Sequence, residues 1–466
     1  MQPYWEPQVE TLSRKELEAL QLERLRQQLA RLYRESSFYR EKWAGLDLEV
    51  RHLEDLARFP VITKAELRAE QQAFPPLGRY TAAEASAWRE YHPSSGTTGY
   101  PVGTVWTQRD VENITRVTAR ILYGYGLRPG DTLLNGFSYG LWVAGLAVHY
   151  AAKELGLFVL PVGAGYAERH LELMARFRPK ALTATPSFGL YLGEVLREKG
   201  VESPLHIGAF GGEAGTENPA TRARLQETLG LKAYDFYGLA EMGPTFAGEC
   251  EAQEGLHFAE DHYLVEVVDP ETREPVPEGE VGVLVLTHLT REATPLVRYY
   301  TGDLARLTRE RCTCGRTHLR ALGGILGRAD DLVVYRGAKF YPSQVEEVVR
   351  GFPELSSEYR IEVAEENGVA REVVVVAELA QPGEVPGLED ALQRRLKEVL
   401  GVTPKVRLER PGALERTAFK AKRVVRHGRA LFLGRWGEIL RRALKTRLRR
   451  LFPAPRQSLE EVDVRT

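Results

Sequence analysis

Between about residues 85 and 300, short apolar runs alternate with segments whose apolar residues recur at helical spacing. The runs TLLNGF (132–137), LFVLPV (157–162), ALTATP (181–186) and HIGAF (206–210) have the length of strands. LELMARF (171–177) and ATRARLQETL (220–229), by contrast, follow the period of a helix. This alternation predicts an α/β fold with layered sheets, in which ligands commonly bind at the loops that follow the strands.

The pattern changes after Gly327. VEEVVRGF and LEDALQRRLKEVL read as helices, and REVVVVAEL and KVRLER read as strands, which together predict a small α+β domain. A chain of 466 residues is also too long for a single core. We therefore expect a large N-terminal α/β domain over residues 1–328, a small and mobile C-terminal domain over 329–428, and a basic amphipathic tail over 429–466.

Composition excludes several classes of protein. A net charge of -1 gives no signature of nucleic-acid binding, and three cysteines cannot build a disulfide framework. The N-terminal sequence MQPYWEPQVE lacks the basic start and apolar core of an export signal, which predicts a cytoplasmic protein. The most apolar stretch, 140–165, is interrupted by His149, Lys153 and Glu154, so it reads as a buried helix and a strand.

The tail carries apolar residues along one helical face among many arginines. Such a helix could lie on an anionic membrane, but packing against its own protein or against a second subunit of a homodimer is the favoured interpretation. The apolar residues are Trp436, Leu440, Leu444, Leu448 and Leu451.

The segment HPSSGTTGYPVGTVWT (92–107) concentrates small hydroxylated residues and glycines. Alone, such a run is ordinary linker material. It could also cradle phosphate groups, because Gly96 and Gly99 let the backbone N–H groups approach closely while nearby hydroxyls donate. The hydroxylated residues are Ser94, Ser95, Thr97 and Thr98.

Further along the chain lie four segments that could supply the rest of a nucleotide site. YDFYGLAEMGP (234–244) offers an aromatic ring and a carboxylate at the end of a strand, and VRYYTGDLARL (297–307) offers Asp303 to ribose hydroxyls. A third segment, GRADDLVVYRGAKFYPSQVEE (327–347), contains Gly and Pro residues of the kind found in a hinge between domains. The fourth, RTAFKAKRV (416–424), is basic. Each segment taken alone could equally be a turn or a solvated surface.

In this order and spacing, the segments resemble the adenylate-forming acyl ligase superfamily. RESSFYREKW, the GGEA turn at 211–214, CTCGRTH and FYPSQVEE resemble the phenylacetate–CoA ligase family in particular. The resemblance covers roughly residues 15–426. It implies that ATP and a carboxylic acid form an acyl adenylate and pyrophosphate, after which coenzyme A displaces AMP.

The resemblance also implies roles for individual residues. Lys420, with Lys422 as its close rival, is the catalytic lysine, and Glu241 is a catalytic carboxylate that holds Mg²⁺. Asp303 and Arg328 bind the ribose, and Asp330 is the hinge. The phosphate loop is Ser94 to Gly99, and the rest of the nucleotide site is lined by Gly212, Glu213, Ala214, Asp235, Phe236, Tyr237 and Gly238.

Three positions depart from the family pattern. Tyr100 stands where relatives usually have the lysine that ends the phosphate loop, a loss of about 1 to 3 kcal/mol of phosphate binding. Glu415 replaces a proline and Phe419 a glycine around Lys420. Two alternatives therefore stay open beside the ligase: an adenylating enzyme with an acceptor other than coenzyme A, and a catalytically degenerate nucleotide-binding protein.

The acid would bind near NGFSYGLW (135–142), where Phe137, Tyr139 and Trp142 occupy positions that are aromatic in the family. Aromatic side chains suit core packing equally well. We expect an aryl or arylalkyl acid, with phenylacetate or a close analogue as the small-molecule substrate, in preference to a long fatty acid.

The cysteines suggest a separate metal site. Cys312 and Cys314 flank a single residue, and Cys250 precedes His257, which makes a Cys₃His set suited to tetrahedral Zn²⁺. The alternative is a group of buried free thiols. A closed four-ligand site would be structural, and His262 or His318 would replace His257 if that assignment is wrong.

Overall fold

The structure is a computed structural model that describes residues 3–94, 101–141, 143–366, 369–415 and 423–428. Several residues singled out above lie outside these ranges. They are Ser95, Gly96, Thr97, Thr98, Gly99, Tyr100, Trp142, Phe419, Lys420, Lys422 and the tail 429–466.

The described residues form eleven α-helices, together with short 3₁₀ turns at Leu53–Arg58, Ala85–Ala87 and Ala329–Asp331. The helices are α1 Pro7–Glu10, α2 Arg14–Glu35, α3 Ser37–Lys42, α4 Lys64–Ala73, α5 Gln108–Gly124, α6 Val143–Glu154, α7 Ala167–Phe177, α8 Pro186–Lys199, α9 Pro219–Leu229, α10 Pro342–Arg350 and α11 Leu388–Leu400. Among these residues no helix combines the length and the apolar character needed to cross a bilayer.

The same residues form 21 strands. They are β1 Ile62–Thr63, β2 Glu90–Pro93, β3 Gly103–Trp106, β4 Thr132–Asn135, β5 Phe158–Pro161, β6 Ala181–Ala184, β7 Ile207–Phe210, β8 Lys232–Leu239, β9 Gly243–Gly248, β10 Leu256–Phe258, β11 Tyr263–Val268, β12 Val281–His288, β13 Tyr299–Thr308, β14 Arg320–Ala321, β15 Gly327–Arg328, β16 Val333–Tyr335, β17 Ala338–Phe340, β18 Leu355–Glu366, β19 Val369–Leu379, β20 Lys405–Glu409 and β21 Val424–Gly428.

A large sheet organises the first part of the chain. Its strands follow the order β11-β12-β13-β14-β10-β9-β8-β7-β6-β4-β5, and β1 and β15 both pair with β13. The strands β5, β4, β6, β7 and β8 run parallel, so their carboxyl ends share one edge. Beyond β8 the pairing to β9 is antiparallel, which turns the chain back beside this edge.

The local predictions for this part are confirmed. The four apolar runs lie in β4, β5, β6 and β7, and the two helical segments lie in α7 and α9. Helix α2 begins at a capping box in which Ser13 accepts from the backbone N–H of Glu16. Its apolar stripe is buried because Leu17, Leu25 and Leu32 are fully enclosed.

A second sheet, of six strands, follows residue 332. Its order is β17-β16-β19-β18-β21, with β20 beside β19. Val345 of α10 and Leu392 and Leu396 of α11 pack into its core, so the helices and strands predicted for this α+β unit are all present. β15 still belongs to the large sheet and β16 opens the small one, on either side of Asp330.

The small sheet contacts helices of the large part through polar pairs. Thr221 Oγ1 donates to Glu346 Oε1 at 2.9 Å, and Ser357 Oγ donates to Glu194 Oε1 at 2.7 Å. Arg224 donates to the carbonyl oxygen of Leu355 at 2.9 Å. These contacts fix one orientation of the two units through directional bonds, and Tyr341 also packs against the apolar cluster that contains Leu304.

Candidate active site

Four of the predicted residues form one hydrogen-bonded chain across β8, β13 and β15. Tyr237 Oη donates to Asp303 Oδ2 at 2.6 Å, and Arg328 Nη1 donates to Asp303 Oδ1 at 2.8 Å. Arg328 Nε also pairs with Asp330 at 2.9 Å. Asp303 is therefore a buried carboxylate that accepts hydrogen bonds from Tyr237 and Arg328.

Glu241 lies in the tight turn between β8 and β9. The turn depends on Gly238, since a Cβ there would stand 1.8 Å from the carbonyl oxygen of Pro244, and the strand register shifts at this point. The Glu241 side chain is only 4% exposed, and its Oε1 forms an ion pair of 2.7 Å with Lys64 Nζ.

The carbonyl group of Met242, the residue after Glu241, accepts hydrogen bonds from three side chains. The carbonyl oxygen of Met242 accepts from His288 Nε2 at 2.7 Å, from Tyr263 Oη at 3.0 Å and from Arg291 Nη2 at 3.0 Å. All three side chains are buried. Sequence analysis did not identify them or Lys64, because these residues approach Glu241 only through the tertiary fold.

The phosphate-loop segment is closed by the hairpin of β2 and β3. Ser94 lies at its base, where its N–H donates to the carbonyl oxygen of Val102 at 2.7 Å and its Oγ accepts from the N–H of Val102 at 3.0 Å. Thr104 of β3 donates to the carbonyl oxygens of His92 and, at 3.4 Å, of Ala240. The base of this loop is thus adjacent to the Glu241 turn.

The predicted adenine turn follows β7. Gly212 adopts a left-handed φ of +87°, and Glu213 Oε1 accepts from the N–H of Ser187, while Ala214 is exposed. Asp235 is buried nearby, and burial raises its pKa, with further contributions from the charges of Glu217 and Glu249. Burial likewise raises the pKa of Glu217 to about 7. The region around Asp235 and Glu217 is consequently less negative than its sequence suggests.

An aromatic wall lies beside this turn. The rings of Phe137 and Phe236 meet edge to face with centroids 5.6 Å apart, and Gly212 leaves room next to Phe137. Tyr139 Oη accepts from Asn135 Nδ2 at 2.8 Å and lies 3.2 Å from His149 Nδ1. Burial raises the pKa of Tyr139 to about 12, so its hydroxyl remains protonated.

The predicted metal ligands come together elsewhere in the large part. One side-chain atom each from Cys250, His257, Cys312 and Cys314 lies within 4.8 Å of all the others. Cys250 Sγ is 3.7 Å from Cys312 Sγ, and Cys314 Sγ is 3.6 Å from His257 Nε2. Two tetrahedral zinc ligands stand about 3.8 Å apart if both are sulfur and about 3.6 Å if one is nitrogen.

His257 is the histidine that joins the thiols. Burial lowers its pKa, so the imidazole is neutral, the form that ligates a metal. The two substitutes lie elsewhere: His262 contacts Thr290 Oγ1 at 2.7 Å, and His318 lies between the carbonyl oxygens of Phe258 and Val9.

Comparison with known proteins agrees with this geometry. The family model described as AMP-binding enzyme matches residues 88–289, and the one described as AMP-binding enzyme C-terminal domain matches residues 337–427. A phenylacetate-coenzyme A ligase of Thermus thermophilus is 42% identical over 439 residues, which cover 89% of this chain and 97% of that protein.

A solved structure extends the likeness to the arrangement of the two units. A 2-hydroxyisobutyryl-CoA ligase in its postadenylation state, in complex with R3-HIB-AMP, superposes with a TM-score of 0.86 at 31% identity, covering 96% of this chain and 95% of that one. The same ligase in its thioesterification state, with 2-HIB-AMP and CoA, gives a TM-score of 0.70 at 32% identity and the same coverage. The two units of the present chain are therefore oriented more nearly as in the postadenylation state.

The chain is thus an AMP-forming acid–thiol ligase by its relatives and its fold. It belongs to the phenylacetate–coenzyme A ligase family of AMP-binding enzymes. Membership confirms the family, fold and enzyme class predicted from the sequence, together with the use of ATP and coenzyme A.

Proposed function

We propose that the chain activates an aryl or arylalkyl carboxylic acid, phenylacetate or a close analogue, and passes the acyl group to coenzyme A. The observation that carries the choice of acid is the edge-to-face pair of Phe137 and Phe236 beside Gly212. Flat aromatic walls favour an aryl ring over a flexible alkyl chain, because aromatic pairs gain stacking energy in addition to apolar burial.

The proposed reaction has two steps, adenylation of the acid and transfer of the acyl group to coenzyme A. A carboxylate oxygen of the acid attacks the α-phosphorus of ATP, the bond to the bridging oxygen breaks, and pyrophosphate leaves. The coenzyme A thiol, losing its proton, then attacks the acyl carbon and AMP leaves. Asp303 and Arg328 orient the ribose in both steps, and Tyr237 and the Gly212 turn border the base. Catalysis in this proposal depends on the positioning of the reactants and on stabilisation of the charge that develops in the transition state.

Two further groups complete the proposed chemistry. Glu241 offers a buried carboxylate whose oxygen chemistry suits Mg²⁺, which would neutralise developing charge on the phosphate oxygens. Lys420 lies outside the described residues and is assigned to the first step by its match to the family motif, with Asp330 as the hinge that brings its domain to the site.

The four-residue cluster of Cys250, His257, Cys312 and Cys314 is proposed to hold one structural Zn²⁺. The support is the agreement of the S–S and S–N separations with tetrahedral coordination, in a set of ligands that leaves no open position. The cluster joins the segment after β9, strand β10 and the loop before β14, so the ion would fasten these three segments to one another.

The experiment that tests the function measures AMP release from ATP and Mg²⁺ with phenylacetate, with and without coenzyme A. AMP release that requires both acid and coenzyme A supports the ligase. AMP release that requires the acid and an acceptor other than coenzyme A would support an adenylating enzyme with a different acceptor. The absence of AMP release with every acid tested would indicate a catalytically degenerate homologue. Lys420→Ala should lose activity, whereas Lys397→Ala, on the last turn of α11, is the matched control.

The sequence also supports a proposal about assembly. The tail 429–466, outside the described residues, is proposed to pack on protein, in its own subunit or across a homodimer, and not on lipid. Sedimentation of the full chain and of a chain ending at Gly428 tests the dimer. Cosedimentation of the same two proteins with anionic vesicles tests the membrane alternative.

A further inference from the structure

We propose that His92 is a positioning residue for the carboxylic acid, because its ring anchors the loop of the predicted acid pocket to strand β2. The anchored segment, residues 136–141 between β4 and α6, contains Phe137 and Tyr139 and is called the acid loop below. The inference rests on the proposed function, which it deepens by naming the group that holds the acid-binding side chains in place.

The end of the acid loop is held with little burial. Gly140 is exposed and reverses the chain with a left-handed φ of +87°, and the next residue, Leu141, is 58% exposed. An exposed side chain contributes little apolar stabilisation. The position of this segment therefore depends on hydrogen bonds to its backbone.

His92 of β2 supplies such a hydrogen bond. The residue is enclosed, and its Nδ1 lies 3.1 Å from the carbonyl oxygen of Leu141. Since a carbonyl oxygen only accepts hydrogen bonds, Nδ1 is the donor in this contact. The ring of Trp106 packs against the imidazole with centroids 4.4 Å apart, and Trp106 is itself buried against Ala147 of α6. The imidazole is thus fixed in one orientation by its neighbours.

A carboxylate and a tyrosine hold the other side of the imidazole. Nε2 of His92 lies 3.0 Å from Oε2 of Glu90, and Oε1 of the same carboxylate accepts from the Tyr150 hydroxyl at 2.8 Å. Burial would raise the pKa of Glu90, but the hydrogen bonds from His92 and Tyr150 outweigh it and lower the pKa, so the carboxylate is ionised. The bonds therefore link helix α6 to the acid loop through two residues of β2.

Helix α6 also contacts the earlier part of the acid loop directly. Nδ1 of His149 lies 3.2 Å from the hydroxyl oxygen of Tyr139. A Cβ on Gly145 would stand 2.3 Å from the carbonyl oxygen of Ser138, so helix and loop approach each other closely at this point. The earlier part of the acid loop is therefore held by α6, and its end is held by β2.

The backbone of His92 connects this anchor to the Glu241 turn. Its carbonyl oxygen accepts from Thr104 Oγ1 at 3.1 Å, and the same hydroxyl lies 3.4 Å from the carbonyl oxygen of Ala240, the residue before Glu241. His92 thus contacts the acid loop with its ring and, through Thr104, the turn of the proposed Mg²⁺ carboxylate. Attack of the acid on the α-phosphorus requires a fixed mutual position of the two reactants, and a misplacement of about 1 Å costs about 100-fold in rate.

The test separates acid binding from nucleotide binding. In His92→Gln the amide nitrogen takes the place of Nε2 beside Glu90, and the carbonyl oxygen of Leu141 loses its donor. The KM for phenylacetate in AMP release should rise about tenfold, the scale of a lost hydrogen bond, while the Kd for MgATP should change less than about twofold. His92→Asn places its amide nitrogen where Nδ1 stands, and should restore the KM to within about threefold of the native value. His206→Gln, exposed before β7, is the control.

A second variant and a second measurement test the same anchor without a large change to the core. Tyr150→Phe removes only the hydroxyl that orients Glu90, and should raise the KM for phenylacetate about two- to fivefold. In hydrogen–deuterium exchange of the free protein, the amides of residues 136–141 should exchange faster in His92→Gln than in the native protein or in His92→Asn. This exchange needs no substrate. If phenylacetate is not the acid, the native protein itself releases no AMP with it, and the exchange measurement decides.

Three outcomes would overturn the proposal. Unchanged exchange of the acid loop in His92→Gln, or an unchanged KM for phenylacetate in a protein that uses this acid, would show that the ring is not an anchor. An equal loss of MgATP affinity would assign His92 a structural role in the β2–β3 hairpin. The same defect in His92→Gln and His92→Asn would show that the donor at Nδ1 does not matter.

Discussion

His288 donates from Nε2 to the carbonyl oxygen of Met242 over 2.7 Å, while its Nδ1 accepts from the N–H of Leu296 at 3.0 Å. The two bonds define a single neutral tautomer, and burial, with the nearby Arg291 charge, lowers the pKa of the imidazole well below its usual range. The histidine acts as a fixed connector that orients the peptide following Glu241.

Replacing this connector should loosen the Glu241 turn. His288→Phe removes one donor to Met242 and leaves the buried N–H of Leu296 without its acceptor, so we expect a loss of about 2 to 4 kcal/mol in the free energy of unfolding. Urea denaturation measures this free energy, and kcat for AMP formation should fall by a larger factor than the KM for ATP changes.

Tyr263→Phe is the comparison variant. It removes a donor to the same carbonyl oxygen but no acceptor, and should lower the free energy of unfolding by about 1 kcal/mol. Equal stabilities of His288→Phe and the native protein would contradict the connector role.

The ribose contact can be tested by pairing a variant with a modified ligand. Asp303→Asn should raise the Kd for AMP about tenfold or more, because hydrogen bonds to a charged acceptor are the stronger ones. The 2′,3′-dideoxy analogue of AMP should bind the native protein about as weakly, and Asp303→Asn should weaken it little further. Asp269→Asn, in the turn after β11, is the control. Additive losses for variant and analogue would argue that Asp303 does not face the ribose.

Stability should depend on pH through Glu217. Burial raises the pKa of this carboxyl from its ordinary 4.5 to about 7, so the folded state keeps a proton that the unfolded state releases. Stability contributed by the protonated group is complete below about pH 4.5 and is lost as pH rises to about 7, above which the deficit is constant. Glu217→Gln should therefore match the native protein at pH 4.5 and exceed it by about 1 to 3 kcal/mol at pH 8. Glu227→Gln, exposed on α9, should show no such gain, and a pH-independent difference for Glu217→Gln would refute the assignment.

The zinc content of the protein should depend on the four cluster residues and not on His318. Cys312→Ser should lose most of the metal found by elemental analysis and lower the thermal midpoint, because one of four ligands is removed. His318→Gln should keep about one zinc per chain, since His318 lies near two carbonyl oxygens outside the cluster. If the native protein contains far less than one zinc per chain, the zinc proposal is wrong and the cysteines are buried free thiols.

The contact between Ser357 and Glu194 should favour the first half-reaction. It forms in an arrangement of the two units that resembles the postadenylation structure more closely than the thioesterification structure. Glu194→Gln weakens it, so acyl-adenylate formation should slow about two- to fivefold, the scale of one hydrogen bond, while thioester formation from supplied acyl adenylate should not slow. Glu198→Gln, exposed on the same helix, is the control. Equal slowing of both half-reactions would contradict this role.

Local patterns predicted the elements of this fold well. The capping box of α2 and the apolar runs of β4 to β7 depend on neighbours a few residues apart, so the sequence displays their cause directly. The Cys₃His set was also visible, because Cys312 and Cys314 are almost adjacent and Cys250 is the only other cysteine in the sequence. For Asp303 and Arg328 the resemblance to a family supplied the roles, and the paired strands show how they meet.

The residues that sequence analysis missed are joined to the site by tertiary contacts alone. Lys64 reads as the start of an ordinary amphipathic helix, and its partner Glu241 belongs to a distant strand turn. His288 likewise ends β12, and Arg291 follows it, with no motif around them. No local pattern marks these residues, because their contacts with the Glu241 turn form only in the folded chain.

Strand β1 and helix α4, which both lie before residue 88, bear on how this enzyme can be divided or recombined. A fragment that begins at residue 88, where the AMP-binding family model begins, would keep the phosphate loop and Asp303 but would lack β1, Gln71 and Lys64. A chimera that exchanges the core for that of a relative would therefore need to carry the first 80 or so residues of the same parent, because β1, Gln71 and Lys64 contact β13, Gly103 and Glu241.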